Sequence, residues 1–483
     1  MMKILLHILV VLIIVLNGHH ADAIDNKKKP NIIFIFADDQ AYNTINALGN
    51  KEIKTPNLDK LVESGTTFTH NYNMGAWAGA VCVASRTMLN TGRSVWRAKE
   101  LNTVFQKEDS LAITQTWGNL LKQAGYDTYM TGKWHIQADI DKCFDYIGTK
   151  RYGMPKQTKA GYNRPVDEND KNWLPWDTKH GGYWQGGQHW SEVVGDEFID
   201  FIEQAKGREH PFFMYVAFNA PHDPRQSPKE YVDMYPLDKI SVPDNYQPLY
   251  PEKDDIGCGK NLRDEKLAPF PRTEYAVKVN RQEYYAIITH MDHQIGRILD
   301  ALEESGQKDN TYIFYTADHG LACGEHGLLG KQNMYDHSMR SPLIVIGPDV
   351  PEGQRNEVDV YLQDIMPSTL EIAGLEKPAY VEFNSLMPLI KNRRKKGNYD
   401  AIYGSYKELQ RMVRADDYKL IVYPKAQKVK LFNLKKDPLE IKNLASNQKY
   451  QKKIKELFGQ LLQLQEEMDD ALDLTAVFPE LLN

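Results

Sequence analysis

Apolar runs along this chain end, again and again, in short polar clusters. Asn31 to Ala37 (NIIFIFA) reads as a buried strand that stops at Asp38-Asp39. Pro56 to Ser64 and Ser110 to Ala124 carry apolar residues at helical spacing, and Asp127 to Thr131 is a strand that leads into Gly132-Lys133-Trp134-His135. Pro211 to Asn219 (PFFMYVAFN) is a continuous apolar strand ending at Pro221-His222. Thr273 to Ser305 reads as a long helix, and Thr311 to Thr316 (TYIFYT) as the strand that delivers Asp318-His319. Such alternation is the pattern of an α/β fold built on βαβ units. In open sheets of this kind the carboxyl ends of the strands are where sites form, so segments distant in sequence can share one pocket.

From about Tyr399 the pattern changes. Met412 to Arg414 and Tyr418 to Tyr423 suggest a hairpin turning at Ala415-Asp416-Asp417, followed by a strand over Lys430 to Leu434 and a helix from about Gln448 to Met468. A smaller antiparallel sheet with a packing helix is expected there. At the other end, Lys3 precedes an apolar run from Ile4 to Leu16, broken only by His7, and then the small-residue site Ala21-Asp22-Ala23. This is the layout of a secretory signal peptide, and the run is too short to cross about 30 Å of hydrocarbon as a helix. The expected division is therefore a signal peptide over 1–23, a catalytic domain over 24–395 and a C-terminal subdomain over 396–483. No internal repeat or low-complexity segment interrupts it.

Composition narrows the classes. With 483 residues, 26% of them charged, a net charge of −6 and a pI near 6.2, the chain has no basic excess to suggest a nucleic-acid partner. Its four cysteines, Cys82, Cys143, Cys258 and Cys323, are too few for a disulfide scaffold in an exported chain of this length. No Asn-x-Ser/Thr acceptor occurs anywhere, which favours export to a bacterial periplasm or beyond over a eukaryotic secretory route.

The sharpest signal is Cys82-Val83-Ala84-Ser85-Arg86 followed by Thr91-Gly92-Arg93. Val83 to Asn90 reads as a short helix stopped by Gly92, which puts Cys82 at its amino end, where the backbone favours anions. A lone cysteine is most often a buried structural thiol. The extended motif, however, resembles the signature of the type I sulfatases. That resemblance implies that a separate formylglycine-generating maturase oxidises Cys82 to an aldehyde, whose hydrate attacks sulfur with one hydroxyl and expels sulfate by losing the proton of the other. Ala84 stands where proline is commoner in that family, and Asn90 where leucine is usual.

Other clusters extend the likeness. Asp38, Asp39, Asp318 and His319, with the modified Cys82, resemble the metal site of these enzymes, which implies one calcium ion. Many relatives carry Asn where His319 stands, and Asp-Asp after a strand can also be no more than a turn or cap. By the same analogy Lys133 and Lys331 neutralise sulfate oxygens, His135 orients and deprotonates the nucleophile, His222 assists the departing alcohol, and Arg86 holds the nucleophile's oxygens. The resemblance runs from Asn31 to about Ala445, ending with Leu431-Phe432-Asn433-Leu434, Asp437-Pro438 and Asn443-Leu444-Ala445. It implies an alkaline-phosphatase-like α/β sandwich around a large mixed sheet, with the smaller C-terminal sheet and its helix.

The substrate is less defined by sequence. Between Cys143 and Trp190 lies a stretch rich in Gly and aromatics, with Trp173, Trp176, Trp184 and Trp190, whose rings could face sugars or simply pack a loop. His180, Asp336 and Arg355 are candidates for gripping sugar hydroxyls. The run from Pro221 to Ile240 is similar to that of bacterial sulfatases acting on glycans, so the expected substrate is a sulfated galactose or hexosamine unit at a chain end. Two alternatives stay open: a phosphodiester or phosphonate monoester hydrolase of the same superfamily, and a noncatalytic glycan-binding relative.

Overall fold

The computed structural model describes residues 28–107, 110–156, 158–393 and 395–482. The expected signal peptide, 1–23, lies outside the described residues. Sixteen strands occur among them: β1 (Asn31–Ala37), β2 (Thr66–Tyr72), β3 (Gly75–Ala76), β4 (Asp127–Lys133), β5 (Tyr146–Arg151), β6 (Trp184–Gln185), β7 (Gln188–His189), β8 (Phe212–Ala217), β9 (Thr311–Ala317), β10 (Arg340–Ser341), β11 (Leu343–Ile346), β12 (Gln354–Tyr361), β13 (Ile402–Tyr406), β14 (Gln410–Ala415), β15 (Tyr418–Tyr423) and β16 (Lys428–Asn433). The larger sheet runs β10-β2-β11-β9-β1-β8-β4-β5, with β12 pairing β2. Its centre, β9-β1-β8-β4, is parallel, while β11 joins β9 antiparallel.

Strand β1 shows why the sheet is covered on both sides. All seven of its residues are buried. Ile32, Phe34 and Phe36 point into one core, with Trp117, Phe144 and Phe213, while Ile33, Ile35 and Ala37 point into another, with Phe198, Ile287 and Ile295 from two long helices. A strand with no polar face can only sit between two helical layers. Those helices are Trp190–Ala205 and Glu274–Glu304, the latter starting at Thr273, whose hydroxyl accepts the amide proton of Ala276.

The smaller sheet, β16-β15-β14-β13-β3, packs on the helix Gln451–Glu467 through Ile454, Leu457, Phe458 and Leu461. Its hairpin turns at Asp416-Asp417, where Asp416 takes a positive φ. The fifth strand comes from the other end of the chain: β3 pairs parallel with β13, Gly75 opposite Ser405. The sheet thus draws on both sides of the expected boundary at residue 396.

One expected helix is two. The segment Ser110 to Ala124 divides into Ser110–Thr114 and Trp117–Gln123, because Thr116 takes an extended conformation and caps the second helix. The break turns Trp117 into the core, its ring 4.9 Å from Phe34 and 5.0 Å from Phe213.

Gly132, next to last in β4, lies opposite Ala217 at a φ of 90°, and an added Cβ would stand 1.8 Å from the Ala217 carbonyl oxygen. Backbone cannot yield to backbone here, so Gly132→Ala should cost about 2 kcal/mol or more and lower the thermal midpoint measurably. A midpoint equal to wild type would show that the strand pair tolerates the methyl group. A second expectation concerns acid. His326 is buried against the Tyr335 ring at 3.9 Å, and burial together with nearby His337 lowers it to about 3 from an ordinary value of 6.5. A depressed folded-state value gives stability that is whole above pH 6.5 and is lost as the pH falls toward 3, by at most about 1.4 kcal/mol per pH unit. The stability cost of His326→Asn, measured by urea unfolding, should therefore shrink between pH 7 and pH 4.5; a constant cost would refute the assignment.

Candidate active site

The four neighbouring parallel strands end in chemistry. β1 delivers Asp38 and Asp39, β9 delivers Asp318 and His319, β4 ends in Lys133 ahead of His135, and β8 leads to His222. Into this row comes the helix Val81–Thr91, which carries Cys82 in its first turn and Arg86 one turn later. Gly92 ends it in the left-handed conformation with its N–H on the Met88 carbonyl. Lys331 comes from the loop after β9.

Arg86 ties the strand ends together. Fully buried, its Nε donates to Asp318 Oδ2 at 3.1 Å, one terminal nitrogen donates to the Lys133 carbonyl at 2.8 Å, and the other lies 3.6 Å from Asp38 Oδ1. Its guanidinium rests on the Phe36 ring, 4.5 Å from the centroid. Lys133 Nζ donates to Asp38 Oδ2, and Lys331 Nζ reaches both oxygens of Asp39, at 2.8 and 2.7 Å. Three buried carboxylates thus face three buried permanent cations.

Cys82 is 2% exposed. Its sulfur lies 3.3 Å from Lys331 Nζ, 3.3 Å from His319 Nε2 and 3.7 Å from Asp39 Oδ1. Burial would raise a thiol, yet Lys133, Lys331 and His319 hold this one well below its ordinary range. By contrast, burial and neighbouring acids raise the remote Cys258 thiol. His319 Nδ1 sits 2.8 Å from the Gly320 carbonyl, which can only accept, so this nitrogen carries a proton and Nε2 is the atom turned toward the cluster.

Oxygen, nitrogen and sulfur atoms of Asp38, Asp39, Cys82, Asp318 and His319 lie within 4.8 Å of one another, all buried. The donor set is rich in hard oxygen, as a calcium-type ion requires. Two further observations fit a cation at this point. Asp38 Oδ1 is buried without a hydrogen-bond partner. Burial and the Asp38 charge push Asp318 up to about 8, and burial pushes Asp39 up as well, although Lys133, His222 and Arg86 overcome burial at Asp38 and bring it to about 2. Crowded carboxylates of this sort are the ones a divalent ion stabilises as anions.

Above the cluster opens a cavity of about 640 Å³, on whose wall stand Cys82, His135, His222, Lys331 and Arg263. His222 Nδ1 is 2.8 Å from the Asp223 carbonyl, which fixes that proton too. His135, held at a positive φ, keeps a buried Nδ1 without a partner. Lys133 stands behind Asp38 rather than on the wall.

Three expected sugar contacts are elsewhere. Asp336 lies against a different cavity of about 380 Å³, its carboxylate ion-paired with buried Lys419, which also pairs with Glu440, and its backbone N–H donating to the Glu440 carboxylate. His180 stacks on Trp173 at 5.0 Å within the irregular insertion. Arg355 is exposed on β12 and donates to the Ala47 carbonyl. Among the tryptophans, Trp190 lies under the Arg151 guanidinium, 3.8 Å from its ring centroid, and packs against the core, while Trp184 donates to the Pro175 carbonyl within the insertion. Conversely, Arg263, Asp264 and Tyr152 line the Cys82 cavity without having been singled out. No periodicity or motif marks the segment that bears Arg263-Asp264.

The covered mixed sheet, with acids and bases gathered at its strand ends, is the alkaline-phosphatase-like kind of hydrolase. The chain belongs to the sulfatase family, whose model matches residues 30–375. A second model, described as N-sulphoglucosamine sulphohydrolase, C-terminal, matches residues 324–467. An arylsulfatase of Clostridium perfringens is 29% identical over 88% of this chain and 92% of its own length. An N-acetylglucosamine-6-O-sulfatase of Bacteroides thetaiotaomicron is 26% identical over 92% of this chain and 88% of its own. Among solved structures, one bound to its substrate D-glucosamine-2-N,6-O-disulfate superposes with a TM-score of 0.71 at 25% identity, covering 92% of this chain and 99% of that one. The protein is thus a sulfuric ester hydrolase.

If Arg86 is what makes the carboxylate pair tolerable, its removal should be severe. Arg86→Leu strands Asp38 and Asp318 without their shared partner and is expected to cost about 3–5 kcal/mol by chemical denaturation. An unchanged denaturation midpoint would mean that the acids do not depend on it.

Proposed function

We propose that this enzyme removes sulfate from a sulfated sugar at the end of a glycan, of hexosamine or galactose type, with Cys82 matured to formylglycine and one calcium ion held by Asp38, Asp39, Asp318, His319 and the modified residue. The observation that carries the reading is the placement of Cys82: in the first turn of a helix, 3.3 Å from Lys331 and beside three carboxylates, at the floor of the cavity. The hexosamine preference is supported by the C-terminal model match and by the acetylglucosamine sulfatase among the relatives.

When present, the aldehyde hydrate supplies a nucleophile whose second hydroxyl allows sulfate to leave by collapse, and calcium supplies polarisation of a sulfate oxygen. The protein's own groups do the rest. Lys331 reaches the cavity and neutralises a sulfate oxygen, while Lys133, spent on Asp38, adds its field from behind. His135 offers an unpartnered ring nitrogen to take a proton from the nucleophile. His222, its Nδ1 proton held by the Asp223 carbonyl, turns Nε2 toward the cavity where the departing alcohol oxygen would lie. The three acids and three permanent cations balance, so a divalent cation would leave the site positive, suited to the monoanionic sulfate ester that enters and to the negative charge that builds as its alcohol departs.

Maturation by a formylglycine-generating enzyme, and export to the periplasm or beyond after cleavage near Ala23, belong to the same proposal. Among the described residues no helix is long and apolar enough to cross a membrane.

The test is a panel of defined sulfated mono- and oligosaccharides, with aryl phosphodiesters alongside, run with protein coexpressed with a maturase and with calcium present or chelated. Wild type should release sulfate from a terminal sulfated sugar with calcium present. Cys82→Ala and Cys82→Ser should each lose about 10³-fold or more in kcat. Full turnover in either variant would show that Cys82 is not the nucleophile, and faster cleavage of the phosphodiesters would move the enzyme to the other branch of its superfamily.

A further inference from the structure

Arg263 is the feature of the cavity that the roles above leave unused. It immediately precedes the 3-10 helix Asp264–Leu267 and lines the wall next to His222, its side chain 32% exposed. One terminal nitrogen carries all of its protein bonds to charged or ring groups: 3.3 Å to Asp223 Oδ1, 2.6 Å to Asp264 Oδ1 and 3.2 Å to His222 Nε2. The other terminal nitrogen meets only the Met154 sulfur, a weak acceptor, and Nε is buried with no partner. A guanidinium has five N–H bonds, and here three of them have no oxygen to bond.

The anchoring is rigid. Asp264 is buried, accepts from Gln332 Nε2 at 2.6 Å through its other oxygen, and lies 4.0 Å from Lys331, so the Arg263 side chain is fixed relative to the sulfate-binding floor. Asp223 is held by Tyr162 as well as by Arg263. At the mouth of the same cavity Tyr152 is 60% exposed, a flat face on which a sugar ring can rest.

We infer that Arg263 is a specificity-determining residue for the alcohol half of the substrate, directing the N–H bonds of its Met154-facing terminal nitrogen at an unmodified hydroxyl next to the sulfated carbon. Charge decides between a hydroxyl and a second anion. Two carboxylates already flank this one guanidinium, so its positive charge is compensated and a second sulfate or carboxylate would meet Asp223 and Asp264 as well. Unspent donors on a compensated cation suit neutral oxygen. A site built to donate to a hydroxyl also rejects a ligand that lacks it, because its own donors are then left buried and unpaired.

This inference rests on the sulfated-sugar reading, and the experiment separates the two. Wild type, Arg263→Lys and Arg263→Met are compared on four substrates: the preferred monosulfated sugar, its deoxy analogue lacking the neighbouring hydroxyl, its analogue with that hydroxyl sulfated, and a simple aryl sulfate. Arg263→Lys keeps a positive charge between Asp223 and Asp264, which guards the fold, but loses the fork. Both variants should lose about 10- to 100-fold in kcat/KM on the monosulfated sugar, chiefly through KM, and little on the deoxy analogue or the aryl sulfate. Wild type should prefer the free hydroxyl over its sulfated counterpart. Equal losses on sugar and aryl sulfate would reduce Arg263 to a support for His222, no loss on any substrate would remove it from recognition, and a wild-type preference for the disulfated sugar would reverse the charge argument. If wild type turns over aryl sulfate but no sugar sulfate, the sugar reading itself fails and this inference falls with it.

Discussion

Two acids from neighbouring strands can be buried side by side only if something permanent stands between them, and in this protein that is Arg86. It reaches Asp318 and Asp38 from the second turn of the helix that carries Cys82, and it also holds the carbonyl of Lys133. One side chain therefore ties three strand ends to the helix of Cys82. Because burial removes competing water, these bonds act with a strength that exposed pairs lack, and the same burial makes each partner indispensable to the others. The metal-type cluster, the cationic floor and the position of Cys82 are consequences of that arrangement.

The sheet's contribution is order. Strands β9, β1, β8 and β4 are neighbours, and each ends in a residue that faces the same point. The two helical layers cover the sheet on both faces, while Cys82, His135, His222 and Lys331 open to a shared cavity. Substrate recognition is left to loops, which vary without disturbing the row.

Much of this was legible because apolar strands and polar ends are local signals. β1, β8 and β9 are unbroken hydrophobic runs, and the acids and bases directly after them needed only the rule that sites gather at carboxyl ends. Strand β2 was not legible: TTFTHNY is polar in composition, yet it lies inside the sheet with its Thr67 and Asn71 side chains buried. Nothing local distinguishes such a strand from a loop. The break at Thr116 escaped for a similar reason, since Trp117 is turned inward by Phe34 and Phe213, which are far away in sequence. Asp336 follows a polar motif as a ligand contact would, but its partner is Lys419, which is distant in sequence. Arg263 lacked any signal short of the cavity itself.

Strand β3 ends only a few residues before the helix that bears Cys82, and its hydrogen-bonding partner, β13, is synthesised far later. The segment just ahead of Cys82 is consequently tied down by residues from the far end of the chain. Without the C-terminal sheet, the backbone ahead of Cys82 would have no ladder to join. With that pairing in place, Cys82 is enclosed and faces the cavity it shares with His135, His222 and Lys331.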